Sequence, residues 1–87
     1  MYAVSTSVDI GSSEDEAVQA LHSEIIPMLK QAPGFVRGLW FGDDKSGHGV
    51  VLFDTEEQAR QGLQEIGSTV GTVTVTSSEV FRVHGEA

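Results

Sequence analysis

The stretch FVRGLWFGDDKSGHGVVLF, residues 35–53, decides the fold. It contains two apolar segments, 35–41 and 48–53, joined by the polar turn 42–47. Short apolar segments bounded by glycine and aspartate are typical of two strands of a β-hairpin. Neither segment alternates, since LWF at 39–41 and VVLF at 50–53 are apolar on both faces. Unbroken apolar strands indicate burial on both sides of a sheet.

The N-terminal third of the chain predicts a strand followed by a helix. Residues 2–10 alternate between apolar and small polar side chains and are rich in β-branched types, which favours a strand. A helix should begin at a serine cap in residues 12–13 and end near residue 32. Pro27 lacks the N–H that an α-helix needs at this position, so we expect a kink or break near Ile26.

The C-terminal third repeats this pattern. Thr55 has the spacing of a helix cap, and the helix that follows should end at Gly67. Residues 72–83 predict a long last strand, with a bulge in the polar interval 77–79. The order is therefore β-α-β-β-α-β, and residues 1–87 are expected to form one α+β domain. Its fold class would be ferredoxin-like, an antiparallel sheet with two helices on one face.

Two helices can cover only one face of such a sheet. The second apolar face then needs another partner, and the simplest partner is a second copy of the chain. A chain of 87 residues buries a smaller share of its surface than larger domains do, which makes added burial by association common. We therefore expect a homodimer.

Charge and composition exclude several classes of function. The net charge is −8, and the five basic residues are scattered, so nucleic acid is not an expected partner. The chain has no cysteine, no leader-like N-terminus and no apolar run long enough to cross a bilayer. These features predict a cytoplasmic protein that does not bind a membrane.

A ligand pocket is predicted around the single tryptophan. If residues 41 and 48 pair across the turn, Trp40 lies opposite Gly49, and Gly38 shares its side of the sheet. Glycines beneath an aromatic ring leave room for a flat group near the backbone. Alternatively, Trp40 fills that room itself, as most large strand aromatics do. The predicted pocket residues on this side are Trp40, Val51 and Phe53.

In the same register, Arg37 and His48 are the polar groups on the opposite side of these two strands. A buried Arg37 would need an anionic partner, either a ligand carboxylate or an acid across a dimer interface, and the interface is the preferred interpretation. His48 and His22 are weak candidates for proton transfer, since histidine at a core edge is more often structural. The three histidines show no metal-ligand spacing, so no metal site is expected.

Three segments resemble one known family. LKQAPGFV at 29–36, VVLFDTEEQA at 50–59 and SEVFRV at 78–83 are similar to the dimeric α/β-barrel superfamily, and within it to the antibiotic biosynthesis monooxygenase-like group. The resemblance implies a homodimer whose two sheets form a barrel, with one small pocket per subunit between sheet and helices. Some members oxidise aromatic molecules with oxygen and no cofactor.

Other members of that group degrade haem, and here the chain departs from their pattern. They use an asparagine on strand one, a tryptophan at the end of strand three and a histidine in the second helical region. This chain has no asparagine, has Phe53 in place of that tryptophan, and has no histidine in its second helix. Haem degradation is therefore not expected, and no cofactor is predicted.

Two functions remain open from the sequence. The first is a dimeric barrel that binds a small apolar or aromatic molecule and oxygenates it without a cofactor. The second is a non-catalytic dimeric module that binds a ligand or a protein partner.

Overall fold

A computed structural model describes residues 1–11, 14–69 and 74–87 of the chain. The strands form one antiparallel sheet in the order β2-β3-β1-β4. They are β1 (Tyr2–Asp9), β2 (Phe35–Gly42), β3 (Ser46–Phe53) and β4 (Thr74–Arg82). The helical segments are α1 (Glu14–Ala20), a π-helical turn (Leu21–Ile25), α2 (Ile26–Lys30) and α3 (Glu56–Thr69). The predicted α+β, ferredoxin-like order β-α-β-β-α-β is confirmed.

The core lies between one side of the sheet and the helices, and we call this side of the sheet the inner face. The buried apolar side chains come from two central strands, from α2 and from α3: Val4, Val51, Phe53, Leu29, Ala59 and Ile66. Phe53 is fully buried, and Gly62 of α3 lies directly over its ring, where a Cβ atom would collide. Gly62 thus lets the helix approach the sheet closely.

The first helix is interrupted as predicted, but through a wider turn rather than a simple kink. The backbone N–H of Ile26 donates to the carbonyl of Leu21, five residues earlier. Pro27 follows at the start of α2, where its missing N–H costs little. The chain therefore accommodates the proline with one π-helical turn, a known way to change helix register. The predicted cap at residues 12–13 lies outside the described residues.

The second helix begins as predicted and ends later. Thr55 Oγ1 accepts a hydrogen bond of 3.2 Å from the backbone N–H of Gln58. The predicted end at Gly67 is wrong, because α3 continues to Thr69. Glycine ends a helix when it adopts the left-handed conformation, and among the described residues only Gly34 has a positive φ, of 77°.

The last strand contains a bulge one residue before the predicted interval. Ser7 of β1 pairs with Ser77, whereas Val8 pairs with Val75, so Thr76 is the extra residue. The first two residues of the predicted strand, 72 and 73, lie outside the described residues. Within the part of the chain that is described, no helix is both long and apolar enough to cross a membrane.

The hairpin between β2 and β3 is shorter than predicted, because Asp43 organises it. Its Oδ1 accepts hydrogen bonds of 2.9 Å from the backbone N–H groups of Lys45 and Ser46. The N–H of Asp43 in turn donates to the carbonyl of Ser46 at 2.9 Å. The strands therefore extend into the predicted turn 42–47, and the loop itself is residues 43–45. The N–H groups of Lys45 and Ser46 hold the pKa of the Asp43 carboxyl below its ordinary value.

Replacing Asp43 by asparagine should lower stability slightly at neutral pH. Because the pKa of Asp43 is lowered by folding, its contribution is present above the carboxyl's ordinary range and disappears as the pH falls through its folded-state pKa. Urea unfolding at neutral and acidic pH would therefore show a difference between wild type and Asp43→Asn that shrinks in acid. Asp44→Asn, in the same loop, is the matched control. An equal or pH-independent effect of the two changes would contradict this role.

The side of the sheet opposite the helices is uncovered in the single chain, and we call it the outer face. Its large side chains are Arg37, Leu39, Phe41, His48, Val50, Leu52 and Phe81, whereas β1 and β4 also place Ser5, Ser7, Ser77 and Glu79 on it. Leu39 is 65% exposed, Phe41 56% and Phe81 52%. The apolar character predicted on both sides of strands two and three is thus present, with helices covering only the inner face.

Candidate functional site

A run of glycines on the inner face creates a gap in the core. Gly42 pairs with Gly47, and Gly49 lies between Trp40 on β2 and Thr6 on β1. Since Gly42 and Gly47 carry no side chain, the sheet near the hairpin has little with which to fill the space beneath α1, whereas the room above Gly49 is taken by the indole of Trp40. The glycines in the sequence of the hairpin are therefore one cause of the cavity.

The resulting cavity lies between the inner face and the first helical segment. Its volume is about 310 Å³, near the lower end of the range for small-molecule sites. Apolar side chains from the sheet, from the first helix and from α3 line it, among them Val8, Ala17, Leu21, Ile25, Val51 and Ile66. A molecule of one or two rings is the size that such a space accepts.

The indole of Trp40 forms one wall of this cavity. A Cβ atom on Gly49 would lie 2.7 Å from Cδ1 of Trp40 and 2.8 Å from its Nε1. At Gly38 a Cβ would meet the six-membered ring, 2.8 Å from Cζ3. The ring therefore occupies the room above both glycines, and a bound molecule would contact the remaining surface of the indole.

Thr6 is the polar residue of the sheet that lines the cavity from β1, and it is 8% exposed. Its hydroxyl is not a buried group without a partner, because among the described residues the one such side-chain atom is Oε1 of Gln58, which does not line the cavity. Sequence reasoning missed Thr6, although a signal was present. In the alternating strand 2–10, Thr6 is the polar residue within the apolar row that faces the helices.

The charged groups that line the cavity are acidic. Glu14 at the start of α1 and Asp43 in the hairpin loop both border it, and no lysine or arginine does within the described chain. The Asp43 carboxylate is already engaged by backbone N–H groups. The cavity therefore combines an apolar wall with a negative margin.

The three predicted pocket residues do not all reach this cavity. Trp40 and Val51 line it. Phe53 shares the inner face but lies further along β3, and its ring is fully buried edge-on against Phe35, with 6.3 Å between ring centroids. Phe53 is thus a core residue beside the cavity rather than part of its wall.

Neither candidate histidine presents its ring to the cavity. His48 borders it through its place on β3, but its ring lies on the outer face, stacked on Phe41 at 5.3 Å. Ser7 Oγ and Nδ1 of His48 share a hydrogen bond of 3.1 Å on that face. His22 is exposed on the π-helical turn and is not part of the wall.

Arg37 lies on the outer face, as the register predicts, but it is exposed in the single chain. Its guanidinium is 3.4 Å from the carboxylate of Glu86, and the two side chains are 58% and 43% exposed. An exposed ion pair of this kind contributes at most about 1 kcal/mol. Within the described residues, no three His, Asp or Glu side chains are grouped so that they could hold a metal ion.

Comparison with known proteins supports the fold. No family model matches the chain, and no curated protein matches it. Among solved structures, it is similar to the crystal structure of a dimeric ferredoxin-like protein from an uncultured marine organism. The TM-score is 0.65 at 16% sequence identity, and the match covers 100% of this chain and 98% of that one. At this identity the similarity shows a shared ferredoxin-like fold.

Proposed function

We propose that the protein is a homodimer whose two outer faces pack into an α/β barrel, and that the cavity of each subunit binds a small apolar or aromatic molecule. The observation that carries the proposal is the cavity of about 310 Å³ beneath α1, with its apolar wall and the indole of Trp40. The resemblance to the antibiotic biosynthesis monooxygenase-like group, with its pocket between sheet and helices, points the same way.

The outer face supports the dimer. Leu39, Phe41 and Phe81 are each more than half exposed in the single chain. Its accessible surface is 5470 Å², whereas a monomer of this mass is expected to expose roughly 5,000 Å². Large exposed apolar patches mark interaction sites, and the similar ferredoxin-like protein is described as dimeric.

Binding without catalysis is the second candidate, and a specific observation favours it. Oxygenation without a cofactor needs a group that can accept a proton from the bound substrate. The rings of His48 and His22 lie outside the cavity. Of the two carboxylates at its margin, that of Asp43 already accepts from backbone N–H groups, and Glu14 is exposed. Oxygen uptake with anthrone, which consumes O₂ as it forms anthraquinone and water, distinguishes the two: a rate above buffer supports oxygenation, and none supports a binding module.

The binding proposal can be tested with a neutral fluorescent probe of two rings, 6-propionyl-2-(dimethylamino)naphthalene. We expect its emission to rise on binding to the wild type and this rise to be lost in Ala17→Phe, because Ala17 lines the cavity and a phenyl ring there would fill it. Gln19→Phe adds the same ring at an exposed position of α1 and is the matched control. An equal response of both variants would place the probe elsewhere and contradict the proposed site.

A further inference from the structure

We propose that α1 is a lid over the cavity, which moves about the π-helical turn (Leu21–Ile25) and closes onto a bound molecule. This inference rests on the proposed function, because it states how the same cavity takes up and holds its ligand. It is carried by the burial along the first helical segment and by the backbone hydrogen bonds at the π-helical turn.

The first helical segment is packed at one end and open at the other. Leu29 in α2 is fully buried in the core, whereas no residue of α1 or of the π-helical turn is buried. In α3, which covers the same face of the sheet, Ala59 and Ile66 are buried. Core packing therefore anchors α2 and α3 to the sheet, but it does not anchor α1.

The apolar side of α1 faces the cavity instead of a packed core. Ala17 and Val18 line the cavity, and Val18 is still 46% exposed. Apolar side chains beside an empty space lack the dispersion contacts that a neighbour would provide. A molecule in the cavity supplies these contacts, and a movement of α1 toward the sheet increases them. Ligand binding and closure of α1 should therefore favour each other.

The π-helical turn lacks one backbone hydrogen-bond donor at its junction with α2. The N–H of Ile26 donates to the carbonyl of Leu21. The next residue, Pro27, has no N–H, so it can donate neither to Ser23, its partner in an α-helix, nor to His22, its partner in a π-helix. The hydrogen-bond ladder is thus interrupted between α1 and the anchored α2. Such turns are frequent at functional sites, and this one lies where the lid would bend.

Spin labels on engineered cysteines test the movement, because the chain has no cysteine of its own. Gln19→Cys in α1 and Gln61→Cys in α3 place two labels at exposed positions. The distribution of distances between them should be broad in the free protein, and 6-propionyl-2-(dimethylamino)naphthalene should narrow it at least about twofold. Lys30→Cys in α2, combined with Gln61→Cys, is the matched control and should give a narrow distribution in both states. Excess unlabelled wild type is added, so that a dimer carries one labelled chain.

Restoring the missing donor tests the hinge. Pro27→Ala adds an N–H at an exposed position, which should hold α1 in line with α2. We expect a narrower distribution between positions 19 and 61 in the free protein. We also expect at least about threefold slower association of the naphthalene in stopped-flow fluorescence. Ser23→Ala is the matched control, because it raises helix propensity in the same turn without adding a backbone donor. It should leave both measurements near their wild-type values.

The outcomes separate this inference from the proposed function, because emission of the naphthalene reports binding and the spin labels report movement. If the emission does not rise, the proposed function fails. If it rises but the distribution between positions 19 and 61 keeps its width, or is already narrow without ligand, the lid is wrong while the cavity remains a binding site. If the control pair narrows equally, the whole domain stiffens and the lid is again wrong. If Pro27→Ala behaves like Ser23→Ala, the π-helical turn is not the hinge.

Discussion

Replacing Leu39 by aspartate is expected to convert the proposed homodimer into single chains of 9.3 kDa. Among the described residues, Leu39 is the most exposed of the large apolar side chains in the single chain, at 65%, and it lies centrally along β2 on the outer face. In a barrel it would be covered by the partner's sheet. A carboxylate there would be buried without a partner, and its side chain is too short to reach solvent.

The loss should be large, because a buried anchor at an interface typically contributes at least about 2 kcal/mol, or roughly 30-fold in Kd. Light scattering from low to high micromolar concentrations should give about twice the chain mass for the wild type and the chain mass for Leu39→Asp. Val18→Asp is the control, because Val18 is 46% exposed but lies on α1, away from the outer face. If the wild type has the mass of one chain at all these concentrations, the proposed barrel is wrong.

The order of the helices and strands along the chain and the pairing of β2 with β3 could be predicted, because they depend on local patterns. The polar turn after residue 41 places Trp40 opposite Gly49, and this register is confirmed. The register of β1 with β3 and β4 joins residues far apart in the sequence, and no local pattern specifies it. Helix ends were harder to predict. Gly67 does not end α3, because glycine lowers helix stability without forbidding the helix. The π-helical turn before Pro27 likewise depends on how the chain shifts its hydrogen bonds, which the proline alone does not specify.

The candidate site was only partly predictable. Which face a strand residue occupies follows from alternation, and the register itself put His48 on the face opposite Trp40, away from any cavity beneath the helices. How far along a strand a cavity extends depends on which neighbours fill the space. Phe53 lies four residues beyond Gly49, about 13 Å along the strand, where Gly62 of α3 closes over it. Thr6 could have been found from the sequence, because it is the polar residue within the apolar row of strand 2–10.

Replacing Phe53 by alanine should remove much of the stability of the domain. Phe53 is fully buried. Its ring contacts Phe35 edge-on and lies under Gly62 of α3. Deleting such a ring costs about 3–5 kcal/mol. A domain of 87 residues has roughly 4–13 kcal/mol in total. The expected fall in Tm is at least about 12 °C, measured by circular dichroism.

The matched control for this change is Phe41→Ala, the same substitution on the outer face of the same sheet. Phe41 is 56% exposed. Within the described part of the single chain, its ring stacks on one other aromatic ring, that of His48. Both variants should be made in the Leu39→Asp background, in which the chain is expected to be a monomer. Otherwise dimerisation would stabilise the variant that retains Phe41 more than the variant that lacks it. In that background Phe41→Ala should cost less than about 1 kcal/mol. Equal losses for the two variants would mean that α3 does not close over Phe53 in solution. In that case the core between the cavity and the far end of the sheet would be packed differently from the structure described above.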